Sequence, residues 1–186
     1  MNSKIFDFLE ASPVIAAVRD DGFDAALASP VDLIFLFHCN ILTVKERVEQ
    51  AHGAGKSLFI HLDLADGIAR DRAGVSFLSK AGVDGVISTR PSLLRVAKEM
   101  GLVTVQRFFV YDSQGVAGIE EVLDSSDPDI IEILPGVIGK ITSRFAREVS
   151  VPLIAGGLIE TKAEVLDALQ NGAVAVSTGK EELWYQ

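Results

Sequence analysis

Two apolar runs near the carboxyl end of the chain are followed by small or polar residues. These residues are Gly156 and Gly157 after the first run, and Ser177, Thr178 and Gly179 after the second. Backbone amides can bind an anion such as a phosphate group where no bulky side chain stands in the way. The pattern therefore predicts a phosphate-binding site. A tight turn without a ligand is the alternative explanation for the paired glycines.

A second group of polar residues lies in or at the ends of other apolar runs. They are His61 and Asp63 in the third run, Ser88 in the fourth, Arg107 in the fifth and Glu132 in the sixth. By the two-residue alternation of a strand, His61 and Asp63 share one face. We expect these groups to form a polar pocket below the phosphate that binds ligand hydroxyl groups. An internal salt-bridge network around Arg107 is an alternative that is compatible with such a pocket.

Metal-ligand spacing is absent around His38 and Cys39, because no other His or Cys lies at a suitable distance along the chain. We therefore expect neither a metal nor a cofactor. Cys39 is the only cysteine, so no disulfide can form within the chain.

Eight apolar runs of strand type can position these residues. They begin at residues 14, 33, 57, 84, 103, 130, 152 and 173, roughly 18 to 28 residues apart, which leaves room for a helix in each gap. Strands that alternate with helices pair in parallel, and their apolar character fits burial on both faces. The pattern predicts one α/β domain over residues 1–186, a single (β/α)₈ TIM-type barrel with a short final helix. A doubly wound open sheet is the alternative, but the first run lacks the glycine-rich turn of that fold.

The segments between the runs carry signals for helix ends. Thr43 with Glu46, and Thr161 with Glu164, have the spacing of a capping box at the start of a helix. Pro91 suits the first turn of a helix. Gly172 follows an apolar helical pattern and predicts its end.

Composition limits the function classes. The chain has 186 residues, 48% of them hydrophobic, and a net charge of −9. No apolar run approaches the roughly 20 residues that a membrane-spanning helix needs, and the first residues include acids where a secretory signal would be apolar. We therefore expect a cytoplasmic protein without a membrane partner. The negative charge argues against nucleic-acid binding by bulk charge.

A local basic surface is compatible with this charge. Lys140, Arg144 and Arg147 recur at the spacing of one helical stripe in the sixth predicted helix, which makes them candidates for RNA contact. Arg90, Arg95 and Lys98 form a second candidate, and an ordinary solvated face is the alternative for both groups.

Several motifs, in the same order along the chain, resemble the glycerol-3-phosphate-responsive antiterminator family. The most specific are His61-x-Asp63-Leu64, Gln106-Arg107, Asp112-Ser113 and Glu132-x-Leu134-Pro135-Gly136. The resemblance runs from the "PVIAAVR" stretch to Trp184. It implies a non-catalytic barrel, a transcription antiterminator of a glycerol uptake operon. Such a regulator binds glycerol 3-phosphate, or a similar small phosphate ester, and then leader mRNA.

The resemblance assigns roles to particular residues. Gly156, Gly157, Ser177 and Thr178 are implied to contact the phosphate, and His61, Asp63, Arg107 and Glu132 to form the polar pocket. A small phosphosugar enzyme of the isomerase, epimerase or aldolase type is the alternative function, because this fold hosts many chemistries. For an aldolase, Lys140 is the only lysine that we place near a predicted strand end. It falls at a helix start, whereas a Schiff-base lysine belongs inside a strand end.

Overall fold

The computed structural model describes Leu9, residues 12–111 and residues 119–186. The expected absence of a secretory signal and the Asp112-Ser113 motif fall on residues outside these ranges.

Eight parallel strands form a closed barrel in which each strand pairs with its neighbours in sequence and the first pairs with the eighth. The strands are β1 (Val14–Val18), β2 (Leu33–Leu36), β3 (Ser57–His61), β4 (Gly85–Ser88), β5 (Val103–Phe109), β6 (Ile130–Leu134), β7 (Leu153–Gly156) and β8 (Ala175–Thr178). Each of the eight predicted runs contains one strand. The TIM-type barrel is therefore confirmed.

Within the described residues, seven α-helices, one after each of the first seven strands, surround the barrel. They are α1 (Phe23–Ala28), α2 (Val44–Gly53), α3 (Arg72–Ala81), α4 (Pro91–Glu99), α5 (Ile119–Ser126), α6 (Gly139–Glu148) and α7 (Lys162–Gln170). A short 3-10 helix, Glu181–Tyr185, follows β8 and corresponds to the predicted short final helix. The indole Nε1 of Trp184 in this helix donates to the carbonyl oxygen of Thr178 at 2.9 Å, which fastens the helix to the end of β8.

Alternation along the strands separates the barrel interior from the helix layer. The interior is packed with apolar side chains such as Phe35, Phe59, Ile87 and Val105. Their neighbours in sequence pack outward against the helices. By the same alternation, four polar side chains near the carboxyl ends of the strands face the interior: His61, Arg107, Glu132 and Ser177.

Most of the predicted helix ends agree with the structure. Thr161 forms the capping box, since its hydroxyl accepts from the Glu164 amide at 3.3 Å and the Glu164 carboxylate accepts in return. Pro91 starts α4, and Gly172 follows α7 with a φ of 99°. The prediction of a capping box at Thr43 is wrong. Its hydroxyl donates to the Asn40 carbonyl oxygen at 3.3 Å instead, because a turn that begins at Asn40 leads into α2.

Within the described residues, no helix has the length and apolar character that crossing a bilayer requires.

Candidate functional site

A pocket of about 430 Å³ lies at the carboxyl-terminal ends of the strands, where the two predicted turns meet. Four of the five predicted phosphate contacts line it: Gly157, Ser177, Thr178 and Gly179. Gly156 is close by but has another role. A Cβ atom there would lie 2.5 Å from Ser177 Oγ and 2.6 Å from Glu132 Oε1, so glycine makes room for these two side chains.

The backbone of Gly157 explains why a second glycine follows. Its φ is 76°, a conformation that L-residues with side chains rarely adopt. Among the described residues, neither the Gly157 amide nor the Gly179 amide donates to a protein acceptor. Both residues line the pocket, so their amides are candidate donors for an anion bound there.

Thr178 ties the two turns together. Its hydroxyl donates to the Ile159 carbonyl oxygen at 2.8 Å and accepts from the Lys180 amide at 3.1 Å. The structure therefore gives this hydroxyl partners within the protein. Thr178 shapes the pocket through these bonds.

A buried polar network forms one wall of the pocket. Arg107 Nε donates to Glu132 Oε2 at 2.7 Å, and Ser177 Oγ donates to Glu132 Oε1 at 2.5 Å. The Glu132 side chain is fully buried, and the Arg107 guanidinium lies over the ring of Phe37 at 4.7 Å from its centroid. The internal salt bridge that we considered as an alternative around Arg107 is present, and both of its residues, Arg107 and Glu132, also line the pocket.

His61 is buried in the barrel interior beside this network. Its ring packs edge-on against Phe37, with 5.6 Å between the ring centroids, and within the described residues its Nδ1 atom has no hydrogen-bond partner. Burial, followed by the nearby Arg107 guanidinium, lowers the pKa of His61 from 6.5 to about 4. The imidazole is therefore neutral near pH 7.

This shift predicts a pH dependence of stability. The unfolded chain binds a proton at His61 near pH 6.5, whereas the folded barrel keeps the imidazole neutral down to about pH 4. Between these values the unfolded state binds more protons, so the free energy of unfolding falls as the pH is lowered, by up to about 3 kcal/mol. We expect urea unfolding of His61→Leu to show less of this loss between pH 6.5 and pH 4. His52→Leu, which removes an exposed histidine, should retain it, and identical pH profiles for the wild type and His61→Leu would contradict the assignment.

Asp63 and Ser88 form a separate cluster. The prediction that Asp63 shares a strand face with His61 is wrong, because β3 ends at His61 and the chain turns into a 3-10 helix, Leu62–Leu64. This turn lets the Asp63 carboxylate accept from Ser88 Oγ at 2.9 Å and from the amide and hydroxyl of Thr89 at 2.7 and 2.9 Å. Burial raises the pKa of Asp63, but these hydrogen bonds outweigh it, so the pKa lies below its usual value. Neither Asp63 nor Ser88 is among the residues that line the pocket.

Lys180 is a pocket residue that the sequence analysis missed. It lines the pocket directly after Gly179, and its ammonium lies 3.7 Å from Glu160 Oε1. Naming Lys140 as the only lysine near a strand end was therefore wrong. Lys140 is exposed on α6 and does not line the pocket. Lys180 lies two residues after the last residue of β8, and this position in the sequence could have identified it as a pocket residue.

Leu158 is the second residue that was missed. It lines the pocket with its side chain 70% exposed, and its φ is 61°. A left-handed backbone is costly for a bulky residue and is usually found at Gly, Asn or Asp, so nothing in the sequence indicated it.

The basic stripe on α6 is exposed as predicted. Thr142 and Phe145 are the buried residues of this helix, and Lys140, Arg144 and Arg147 lie on the solvent side. Arg144 Nε donates to both carboxylate oxygens of Glu148, at 2.9 and 3.1 Å. This ion pair reduces the positive potential of the stripe.

The second basic group is more strongly neutralised. Lys98 Nζ lies 2.8 Å from Asp127 Oδ2, and Arg90 Nε lies 3.7 Å from Asp63 Oδ1. Arg95 is exposed between them on α4. In the part of the chain that the structure describes, no group of three or more His, Cys, Asp or Glu is arranged to hold a metal ion.

Comparison with known sequences gives two matches that span nearly the whole chain. Residues 14–184 match the family model described as "Glycerol-3-phosphate responsive antiterminator". The uncharacterized protein YgcP of Escherichia coli (strain K12) is 35% identical over 182 residues, which covers 97% of this chain and 95% of that protein.

Solved structures agree with the family match. The glycerol uptake operon antiterminator regulatory protein of Listeria monocytogenes str. 4b F2365 superposes with a TM-score of 0.87 at 31% identity, covering 92% of this chain and 94% of that chain. A glycerol uptake operon antiterminator-related protein of Thermotoga maritima MSB8 superposes with a TM-score of 0.83 at 32% identity, covering 93% and 98%. A deoxyribose phosphate aldolase of Aeropyrum pernix, at 14% identity, is similar in fold alone. The chain therefore belongs to the glycerol-3-phosphate responsive antiterminator family.

Proposed function

We propose that the chain binds glycerol 3-phosphate in the pocket described above. In its ligand-bound form it binds leader mRNA and acts as a transcription antiterminator. The observation that carries the proposal is one pocket that combines free backbone amides with a buried polar network. Family membership supports the same function.

The proposed phosphate contacts are the amides of Gly157 and Gly179 together with the Lys180 ammonium. The two amides have no acceptor among the described residues, and the Lys180 side chain, 47% exposed, stands at the same pocket. Backbone amides and a lysine are donors only, so they favour an anion over a neutral group. We assign the phosphate to this end of the pocket.

The proposed hydroxyl contacts are Glu132 and Arg107. Their side chains are already hydrogen-bonded to each other, which fixes their orientation before a ligand arrives. A carboxylate accepts several hydrogen bonds and a guanidinium donates up to five, so both retain capacity for the two hydroxyl groups of a glycerol moiety. Phe37 and Leu134 line the pocket as well and offer apolar contact to the carbon chain.

A thermal-shift experiment tests the ligand. Glycerol 3-phosphate at one hundred times its dissociation constant should add about 2.7 kcal/mol to the free energy of unfolding, because it binds only the folded state. Glycerol alone should have no such effect, and inorganic phosphate should have a smaller one. Stabilisation by other triose phosphates but not by glycerol 3-phosphate would contradict the proposed ligand.

The α6 stripe is the proposed RNA contact, and charge reversal tests it. Arg144→Glu combined with Arg147→Glu should remove RNA binding in a filter-binding titration at low salt, because phosphate contacts by basic residues supply much of RNA affinity. Affinity for glycerol 3-phosphate should not change. Lys45→Glu combined with Lys80→Glu alters the net charge by the same amount on two other exposed helix positions. Equal losses in both double variants would mean that only overall charge matters.

Lys180 lines the pocket but lies beyond the end of β8 and is 47% exposed, whereas a Schiff-base lysine is desolvated inside a strand end, so a regulator fits the site better than a Schiff-base enzyme. None of the eight strands, all of which lie in the described residues, contains a lysine. Lys56 is buried, but its ammonium donates to the carbonyl oxygens of Ser29 and Val31, each at 2.6 Å, just before β3 begins. These bonds place Lys56 at the end of the barrel opposite the pocket.

A further inference from the structure

Two aromatic side chains stack on each other at the rim of the barrel. Phe109 is the last residue of β5, and Tyr111 follows two positions later. Their ring centroids are 6.0 Å apart and their planes differ by 9°. Phe109 is 45% exposed and Tyr111 is 86% exposed. Large aromatic surface in contact with water is unfavourable for a folded protein, and an exposed pair of parallel rings calls for an explanation through binding.

The position of this pair relates it to the ligand pocket. Phe109 lies on the same face of β5 as Arg107, which faces the barrel interior. The aromatic pair therefore extends this row of interior-facing side chains beyond the end of the barrel. In the sheet register Phe109 is opposite Leu134. Leu134 lines the ligand pocket, whereas Phe109 and Tyr111 do not. The aromatic pair therefore lies next to the pocket but does not line it.

We propose that Phe109 and Tyr111 form an aromatic platform on which an unpaired base of single-stranded RNA stacks. This inference rests on the proposed function, because it assigns a surface to the RNA partner. Proteins that bind single-stranded nucleic acid use exposed aromatic rings in this way, and every base offers a flat π-face. The two rings are nearly parallel and both residues are exposed, which suits stacking of a base against them.

Stacking would add RNA affinity to the phosphate contacts proposed for α6, which the charges of the molecule weaken. Several exposed cations are already paired with acids: Arg144 with Glu148, Lys98 with Asp127 and Arg72 with Glu99. Together with the net charge of −9, these pairs leave little potential for attracting phosphates from a distance. Arg90, which follows the neighbouring strand β4, is paired as well, since its Nε atom lies 3.7 Å from Asp63 Oδ1.

The same geometry links the platform to the ligand. A Cβ atom on Gly157 would lie 3.0 Å from Leu134 Cδ2, so Leu134 packs directly against the backbone proposed to bind phosphate. Leu134 is also the residue opposite Phe109. A ligand bound at the Gly157 turn would therefore lie close to Leu134, which neighbours the platform in the sheet.

Fluorescence anisotropy with labelled single-stranded oligoadenylate and oligouridylate, in the presence of glycerol 3-phosphate, tests the platform. Phe109→Ala and Tyr111→Ala should each weaken binding by about 5- to 150-fold, the loss typical of one stacked base. Tyr111→Phe keeps the ring and should bind like the wild type. Tyr185→Ala removes an exposed tyrosine from the final 3-10 helix and is the matched control. Every variant should keep its affinity for glycerol 3-phosphate, which also shows that it is folded.

The outcomes separate this inference from the proposed function. If the alanine variants bind RNA as tightly as the wild type, the platform is not the contact, and the proposed function stands without it. If the wild type binds neither oligonucleotide although glycerol 3-phosphate stabilises it, the platform is overturned while the ligand pocket is supported. Loss of RNA binding in both alanine variants, with full binding by Tyr111→Phe, is the result that we expect.

Discussion

Replacement of Gly157 by Val is expected to abolish binding of glycerol 3-phosphate while the barrel still folds. The φ of 76° at this position is strained for any L side chain and worse for a β-branched one. A Cβ atom would also lie 3.0 Å from Leu134 Cδ2, so the turn must shift. The proposed phosphate donors would then be displaced or covered. Calorimetric titration with glycerol 3-phosphate measures the loss.

Gly55→Val is the matched control for this variant. Gly55 has a φ of 75°, and a Cβ atom there would meet nothing within 4 Å. It lies just before β3, at the end of the barrel opposite the pocket. Both variants should lose stability by about 1–3 kcal/mol from backbone strain, but only Gly157→Val should lose the ligand. Unchanged affinity in Gly157→Val would mean that the phosphate binds elsewhere.

Glu132→Gln is expected to have the largest effect on stability, about 3–5 kcal/mol. The substitution removes the charge that compensates the buried Arg107 guanidinium, and Glu132 is itself fully buried. Urea unfolding measures this loss. Glu148→Gln breaks the exposed pair with Arg144 and should cost less than about 1 kcal/mol, which makes it the matched control.

The same Glu132→Gln variant tests the hydroxyl contacts. Affinity for glycerol 3-phosphate should fall by about 1.5–3 kcal/mol, the usual value for a lost charged hydrogen bond. Affinity for inorganic phosphate, which has no glycerol moiety, should fall less. Equal losses for both ligands in calorimetry would mean that Glu132 serves only as the structural partner of Arg107.

The apolar runs predicted the strands because parallel strands covered on both faces leave a strong and simple pattern. All eight strands lie within the predicted runs, and the two turns of the pocket follow from their position after β7 and β8. Arg107 and Glu132, which were expected in the polar pocket because they interrupt apolar runs, line it. Their direct pairing depends on the register between β5 and β6, in which the two residues are opposite each other, and a single sequence does not carry that register.

The errors have local physical causes. Alternation failed at Asp63 because β3 ends two residues earlier, and the 3-10 helix that follows turns the carboxylate toward Thr89. Ser88 alternates with Ile87, which faces the interior, so its hydroxyl points away from the pocket toward Asp63. Leu158 adopts a left-handed backbone that its residue type disfavours. The positions of Asp63 and Leu158 are set by the path of a loop, about which apolar periodicity says little, whereas alternation along β4 accounts for Ser88.

The central claim is that glycerol 3-phosphate controls RNA binding, and one titration tests it most directly. Leader RNA of a glycerol uptake operon is titrated with the wild-type chain in a filter-binding assay, with and without saturating glycerol 3-phosphate, at low and moderate salt. We predict tighter RNA binding with the ligand, by about 5- to 150-fold, the range of typical coupling between two sites. Equal RNA affinity with and without the ligand, or no RNA binding in either case, would contradict the account.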